Sequence, residues 1–283
     1  MAKGLFATYH PAVCMLFFLA VICFSFSTMQ PVYVALAVIM SSAYLIYLKG
    51  ARQYLRSLAM FIPMVIFIGL LNSLFDQAGA TVLWRWGPFS ITSEGLCYGV
   101  GIGGMIMSVL IWFSCYSEVM TEDKFTYLFG KAVPTISLMV SMISRWIPRM
   151  VSRGRSIYDS QEALIGNYDQ SKSGKMARGV RMATVLAGLG MEDSVQTADS
   201  MCARGYGTTK RTSYARYSWH TRERVALAFL IALVVVNIVL LITGASSFKY
   251  YPRLSAIEPL WGYVTYVLMM AMPFIVELEQ LRR

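Results

Sequence analysis

The sequence predicts an all-α integral membrane protein, with about six transmembrane helices and a cytoplasmic platform of amphipathic helices. Three observations carry that expectation. Of 283 residues, 57% are hydrophobic and only 14% are charged, whereas a soluble domain carries about 25% charged residues. Mean hydropathy is +0.54, and the apolar residues gather in long uninterrupted stretches. The 25 Lys+Arg and 15 Asp+Glu, a net charge of +10, are unevenly spread along the chain. In a membrane protein such an excess marks the cytoplasmic side rather than a nucleic-acid surface. This composition argues against a disordered chain, a disulfide-rich secreted scaffold and an ordinary cytosolic enzyme.

A helix rises about 1.5 Å per residue, so about 20 apolar residues cross about 30 Å of hydrocarbon. Six stretches have that character, at about 11–28, 31–48, 57–75, 96–117, 225–243 and 258–276. The first follows Lys3 and has the look of a secretory leader. It lacks a good small-residue cleavage site and runs into the second stretch across Met29-Gln30-Pro31, so it reads as a retained span followed by a tight turn. Pro63 interrupts the third span. In the fourth, Gly99-Val100-Gly101-Ile102-Gly103-Gly104 matches G-x-G-x-x-G. No strand is expected before it, so it reads as a helix-packing surface rather than a dinucleotide fingerprint. With the N-terminus inside, the far-side segments hold only Arg85, Lys249 and Arg253, leaving 22 of the 25 basic residues on the near side. Both termini are therefore expected to be cytoplasmic.

The expected organisation is membrane helices one to four over 1–117, a cytoplasmic helical region over 118–224, and two further membrane helices with a short tail over 225–283. Residues 118–224 hold 16 Lys+Arg and 10 Asp+Glu, too long and too patterned a segment for a connector. Thr126–Val151 is apolar but broken by Lys131, Ser137, Ser144 and Arg145 and punctuated by Pro134 and Pro148. That pattern predicts an amphipathic helix on the membrane face. A polar helix is expected over Arg149–Ile165, ended by Gly166-Asn167-Tyr168-Asp169. A third helix is expected from about Lys175 to Cys202. Along it Val180, Ala183, Ala187, Met191, Val195, Ala198 and Cys202 fall at three- and four-residue steps. This stripe of mostly small residues suits a close helix crossing at Ala183 and Ala187.

Enzymatic chemistry finds little support. There is no Walker A pattern, no H-E-x-x-H and no G-x-S-x-G, and the only histidines are His10 and His220. No catalytic, cofactor-binding or metal-ligating residue is assigned. Cys14, Cys23, Cys97, Cys115 and Cys202 form no C-x-x-C pair, and the four in apolar stretches read as small buried hydrophobes. Among 19 methionines, Met139, Met142 and Met150 lie on the first platform helix, and Met105, Met107, Met269, Met270 and Met272 in spans. They suit either an adaptable partner surface or core packing.

The strongest local signal is Ala203-Arg204-Gly205-Tyr206-Gly207, followed by Lys210-Arg211-Thr212 and Tyr214. A glycine just past a helical stripe is a C-cap, and an arginine there is favoured by the helix dipole. More accompanies it. His10-Pro11 precedes the first span, and Ser93-Glu94-Gly95 opens the fourth. Arg145-Trp146-Ile147-Pro148 leads into the polar helix, with Gln161 thirteen residues after that proline. In this order and spacing the chain resembles, over nearly its whole length, the transmembrane T component of energy-coupling factor (ECF) transporters, including the CbiQ type of cobalt uptake systems.

The resemblance implies two Ala-Arg-Gly/Ser motifs ending two long cytoplasmic coupling helices. Each would dock on one of two ATPase subunits, its arginine meeting an acidic residue. The second motif maps onto Ala203-Arg204-Gly205. The first falls on Ala163-Leu164-Ile165, where Leu164 replaces the arginine. A literal Ala177-Arg178-Gly179 lies fourteen residues later, near the expected start of the next helix, and is the alternative first docking end. Lys210 and Arg211 are expected to add contacts to an acidic rim or to anionic headgroups.

By this resemblance the protein would be the coupling subunit of an ATP-driven importer in a bacterial or archaeal cell membrane. It would neither hydrolyse ATP nor hold a cofactor. It would join two cytoplasmic ATPases to a separate substrate-binding membrane subunit (the S component) for uptake of a vitamin or a transition-metal ion, with the lipid bilayer around it and no nucleic-acid partner. Two other classes make different demands. A self-contained secondary transporter or channel would place ionisable residues near the midplane or break paired spans with Gly/Pro. A membrane enzyme would need clustered catalytic side chains at its cytoplasmic face. The spans hold almost no charge, and no such cluster stands out.

Overall fold

The computed structural model describes residues 5–75, 82–86, 89–130, 133–165, 172–208, 217, 219–243 and 262–281. Its elements are a 3₁₀ turn at Leu5–Thr8, α1 (Pro11–Ser27), α2 (Pro31–Lys49), α3 (Ala51–Phe75), β1 (Val82–Trp86), β2 (Phe89–Thr92), α4 (Ser93–Val119), α5 (Glu122–Gly130), α6 (Pro134–Ile165), α7 (Lys172–Ala203), α8 (Thr221–Ile242) and α9 (Gly262–Leu281). The fold is almost wholly helical. Among the described residues the one addition is a small antiparallel hairpin, β1 against β2. The chain divides into two compact units, one formed by Met1–Phe125 with Tyr217–Arg283 and the other by Thr126–Arg216.

The first unit holds the six apolar helices expected from sequence. Four of them, at Pro31–Lys49, Ala51–Asn72, Ser93–Val119 and Thr221–Ile242, are long and apolar enough to cross a membrane, while the apolar helices at Pro11–Ser27 and Gly262–Glu277 are shorter. Local signals set several boundaries. Pro11 and Pro31 occupy the first turns of α1 and α2, where a missing N–H costs nothing. The His10 ring nitrogen Nδ1 accepts from the Ala12 N–H at 3.2 Å and caps α1. Thr92 Oγ1 accepts from the Gly95 N–H at 3.2 Å and caps α4. Gly50, at φ +82°, alone joins α2 to α3.

The glycine run of α4 has the role that packing predicts. A Cβ at Gly99 would lie 2.8 Å from Gly69 Cα, and one at Gly103 would lie 2.7 Å from a Val65 methyl. Only bare backbone lets α3 and α4 come this close. One expectation is corrected here: a short strand, β2, does precede α4. The glycines nevertheless begin six residues inside the helix, where Gly99 and Gly103 face α3 and Gly104 faces Val34 of α2, so they do not form a strand-to-helix phosphate turn.

Aromatic and aliphatic side chains fill the centre of this unit. Phe17, Phe18, Tyr44, Trp112, Leu230 and Tyr266 are fully or almost fully buried. Met105, Met107, Met269, Met270 and Met272 are buried too. These methionines fill the core rather than offering an adaptable outer face. Cys14 and Cys115 are buried, but Cys23 and Cys97 are exposed on apolar helices, as is Cys202 near the end of α7. The expectation of burial fails for Cys23, which lines an open apolar groove between α1 and α8, and for Cys97 on an exposed face of α4. Exposed Leu55, Met60, Ile66 and Phe67 on α3, with Val235 and Val239 on α8, give these helices apolar outer faces suited to lipid.

Polar ties mark the two ends of the first unit. At one end the Glu223 carboxylate accepts from the His10 N–H at 3.1 Å and from the His220 N–H at 3.4 Å, serving the starts of both α1 and α8. The His10 ring stacks on Trp219 with centroids 4.0 Å apart. Lys49 pairs with Glu118 at 3.4 Å, joining the ends of α2 and α4. Lys124 donates to the Val119 carbonyl at 2.8 Å and also to the Ala7 carbonyl, and burial lowers its pKa below the ordinary lysine value. At the other end Gln30 donates to the Tyr263 hydroxyl, tying the starts of α2 and α9. Thus α1 and α8 begin at the end where α2 and α4 finish. Lys124, Tyr217 and Trp219 all lie at that same end.

The second unit is built on α6 and α7, each 32 residues long. The sequence predicts two helices meeting near Pro148, but α6 runs unbroken from Pro134 to Ile165 with Pro148 inside it. One missing N–H is tolerated where the flanking turns hold the helix in register. A Cβ at Gly190 would lie 3.0 Å from the Trp146 ring, and one at Gly154 would lie 3.4 Å from a Leu186 methyl. Trp146 therefore faces Gly190 and Gly154 faces Leu186, an antiparallel crossing. Arg153 forms an ion pair with Asp193 across it.

Candidate functional site

The C-terminus of α7 is built as a defined stop. The Tyr206 N–H donates to the Met201 carbonyl and the Gly205 N–H to the Cys202 carbonyl, both at 3.0 Å. These two bonds are the Schellman pattern, which requires a left-handed residue after the cap. Gly205 supplies it at φ +76°, and Gly207 follows at φ +91°. Arg204 is the capping residue. Its N–H donates to the Ser200 carbonyl at 3.2 Å, and its side chain is exposed. Ala203 beside it is exposed as well. The backbone thus fixes the stem of Arg204 while the guanidinium stays free for another surface. Lys210 and Arg211 lie outside the described residues.

The end of α6 differs. Ala163 is exposed and Leu164 is 86% exposed, an unusual position for a large apolar side chain. Ile165 is the last residue of the helix. Measured along the helices, Leu164 lies ten residues past Gly154, about 15 Å. Arg204 lies fourteen residues past Gly190, about 21 Å. Because the helices cross antiparallel, these ends point in opposite senses and present two separate surfaces. Ala177-Arg178-Gly179 sits within the early turns of α7, in continuous helix. A Cβ at Gly179 would meet nothing within 4 Å, and its φ is not positive. That triplet therefore lacks the cap geometry of 203–205.

The crossing is not where the small-residue stripe predicts it. Ala183 and Ala187 are exposed, as are Val180, Met191 and Val195 on the same stripe. The α6–α7 contact instead uses Leu186, Gly190 and Asp193, the neighbouring face of α7. The sequence cue for this face was weak, because Gly190 and Asp193 break the apolar periodicity. Among the described residues, no group of three His, Cys, Asp or Glu side chains is placed to hold a metal ion.

The sequence profile of the CbiQ family, described as cobalt transport protein, matches residues 5–214, which include the C-terminal ends of α6 and α7. The chain belongs to this family. The energy-coupling factor transporter transmembrane protein EcfT of Lactobacillus helveticus is 27% identical over 199 residues, covering 65% of this chain and 70% of that protein. EcfT 1 of Listeria monocytogenes is 24% identical over 201 residues, covering 67% and 75%. A putative ABC transporter ATP-binding protein of Bifidobacterium longum is 22% identical over 246 residues, covering 81% of this chain but 31% of that protein. The chain is accordingly a T component of the ECF transporter family, a multi-pass membrane subunit of a transporter.

Proposed function

We propose that this T component transmits the ATPase cycle of an ECF importer to a separate substrate-binding membrane subunit, driving uptake of a vitamin or a transition-metal ion. The observation that carries the reading is Arg204, held exposed on a Schellman-capped helix end. An arginine fixed at its stem and free at its fork suits bidentate pairing with a carboxylate on a partner. The Bifidobacterium relative, named an ATP-binding protein, matches this chain over only 31% of its length. That relation supports an ATPase as the partner of the platform.

The two helix ends imply two ATPase contacts of different chemistry. Arg204 makes a charged contact, with Lys210 and Arg211 adding positive charge near it. Ala163, Leu164 and Ile165 make an apolar one. Two different ATPase subunits, or one kind gripped in two ways, satisfy this arrangement. Transmission requires that the platform favour one ATPase conformation over another, because only differential affinity moves an equilibrium. The exposed stripe at Ala183 and Ala187 is then a face for a partner helix. The subunit is non-catalytic, with 118–224 and both termini cytoplasmic, as the distribution of basic residues favours. Co-purification of ATPase subunits with the wild-type chain and with Arg204→Glu tests this reading: association is expected in the first and lost in the second.

A further inference from the structure

A crevice of about 340 Å³ lies between α6 and α7, within the size range of small-molecule sites. Arg145 and Arg149 line it from α6, one helical turn apart, beside Met142 and Trp146, with Asp193 and Met201 opposite on α7. Neither arginine has an ion pair or hydrogen bond among the described residues. The one carboxylate in the lining, Asp193, is engaged by Arg153, so it does not neutralise them. The hydroxyls of Ser194 and Thr197 direct their protons to the Met191 and Asp193 carbonyls on their own helix. The crevice therefore offers two free guanidiniums as its donors, set over an apolar wall.

Like charges one turn apart on an exposed helix face repel, and an anion held between them relieves that repulsion. Guanidinium forks match phosphate oxygens. The surroundings say which phosphate. Ile136, Met139, Ile143 and Ile147 are exposed on the same helix, and Trp146 is partly exposed at the mouth of the crevice. A basic, tryptophan-bearing amphipathic helix in a membrane subunit is suited to the headgroup layer. We infer that the α6–α7 crevice binds the phosphate of an anionic phospholipid, with Arg145 and Arg149 holding the phosphate and the Met142–Trp146 wall meeting the glycerol and upper acyl carbons. Bound lipid would bridge α6 and α7 beside the Arg153–Asp193 pair and so stiffen the crossing that separates the two docking ends. The inference does not depend on which proteins dock at those ends.

The test uses the full-length chain, delipidated in detergent and titrated with dioleoylphosphatidylglycerol or dioleoylphosphatidylcholine under native mass spectrometry. Two basic contacts give an expected loss of about thirty-fold in phosphatidylglycerol affinity for Arg145→Gln/Arg149→Gln. Arg145→Lys/Arg149→Lys should keep much of the binding. Arg155→Gln/Arg181→Gln, which removes two charges outside the crevice, should change it by less than about threefold. Wild-type preference for phosphatidylglycerol over phosphatidylcholine, lost only in the crevice variant, supports the site. Displacement of the lipid by inorganic phosphate would keep the phosphate site but make its source a soluble anion. Undiminished phosphatidylglycerol binding in Arg145→Gln/Arg149→Gln, or an equal loss in the control pair, overturns the inference. So does undiminished lipid binding combined with loss of co-purifying ATPases, which would make the crevice a protein contact.

Discussion

Replacing Gly99 by alanine puts a methyl group where the backbone of α3 already lies. The new Cβ would sit 2.8 Å from Gly69 Cα, 2.9 Å from the Gly69 carbonyl oxygen and 3.2 Å from Asn72 Cβ. Ordinary carbon contacts need about 3.5–4.0 Å, so α3 and α4 must separate locally by about 0.7–1.2 Å. No rotamer change relieves this, because the obstacle is main chain. Overpacking of this kind costs about 1–3 kcal/mol. Alanine also returns about 0.5–1 kcal/mol by restricting the unfolded helix. Gly188→Ala isolates that second contribution: Gly188 is inside α7 and nothing lies within 4 Å of its added Cβ. The difference between the two variants is therefore the overpacking alone, about 1–3 kcal/mol. At about 2–4 °C per kcal/mol for a chain near this size, Gly99→Ala should melt about 2–12 °C below Gly188→Ala. The assay is thermal unfolding of both purified proteins in one detergent. A Gly99→Ala protein that melts with or above Gly188→Ala would refute the close α3–α4 crossing.

Other expectations follow from the platform and the topology. Gly205→Ala forces a left-handed φ of +76° on a residue with a Cβ, costing about 1–2 kcal/mol; amide exchange at Tyr206 should accelerate, and an unchanged rate would contradict the cap. Ala187→Leu should leave the melting of the isolated chain within about 0.5 kcal/mol of wild type, since the site is exposed, yet impair uptake. Normal uptake would remove the stripe from the list of partner contacts. In a cysteine-free background, Lys249→Cys should label from outside intact cells and Lys172→Cys should not; the reverse pattern would invert the proposed orientation.

The spans were legible because lipid imposes a length and a composition that no loop mimics. Even so, α3 extends to Ala51 through Arg52 and Arg56, which hydropathy alone discounts. The stop after α7 was legible too, because Gly205 is one of few residues that can take the required φ cheaply. The α6–α7 crossing was not. A stripe of small residues looks alike whether it meets a neighbour in the same chain or a partner, and among the described residues Ala183 and Ala187 are left exposed. The face in use depends on Gly190 against Trp146 and on Arg153 with Asp193, pairs 44 and 40 residues apart with no periodic signature. Pro148 misled for a related reason: a local breaker signal was outweighed by the continuity of the flanking turns. Glu223 was invisible as a tie between α1 and α8, because its partner His10 N–H lies 213 residues away.

The central claim is that Arg204 docks a partner ATPase. If Arg204 is only a helix-terminal charge, its replacement costs about 0.3–1 kcal/mol locally and association persists. If it pairs with a carboxylate in a partner groove, truncating it costs about 2–5 kcal/mol of binding, and reversing its charge costs more. The direct measurement is co-purification of ATPase subunits with Arg204→Glu, normalised to its abundance in the membrane and compared with Arg178→Glu. The account predicts normal membrane abundance for both variants, loss of the ATPases from Arg204→Glu and retention by Arg178→Glu. ATPases retained by Arg204→Glu at wild-type levels would contradict it.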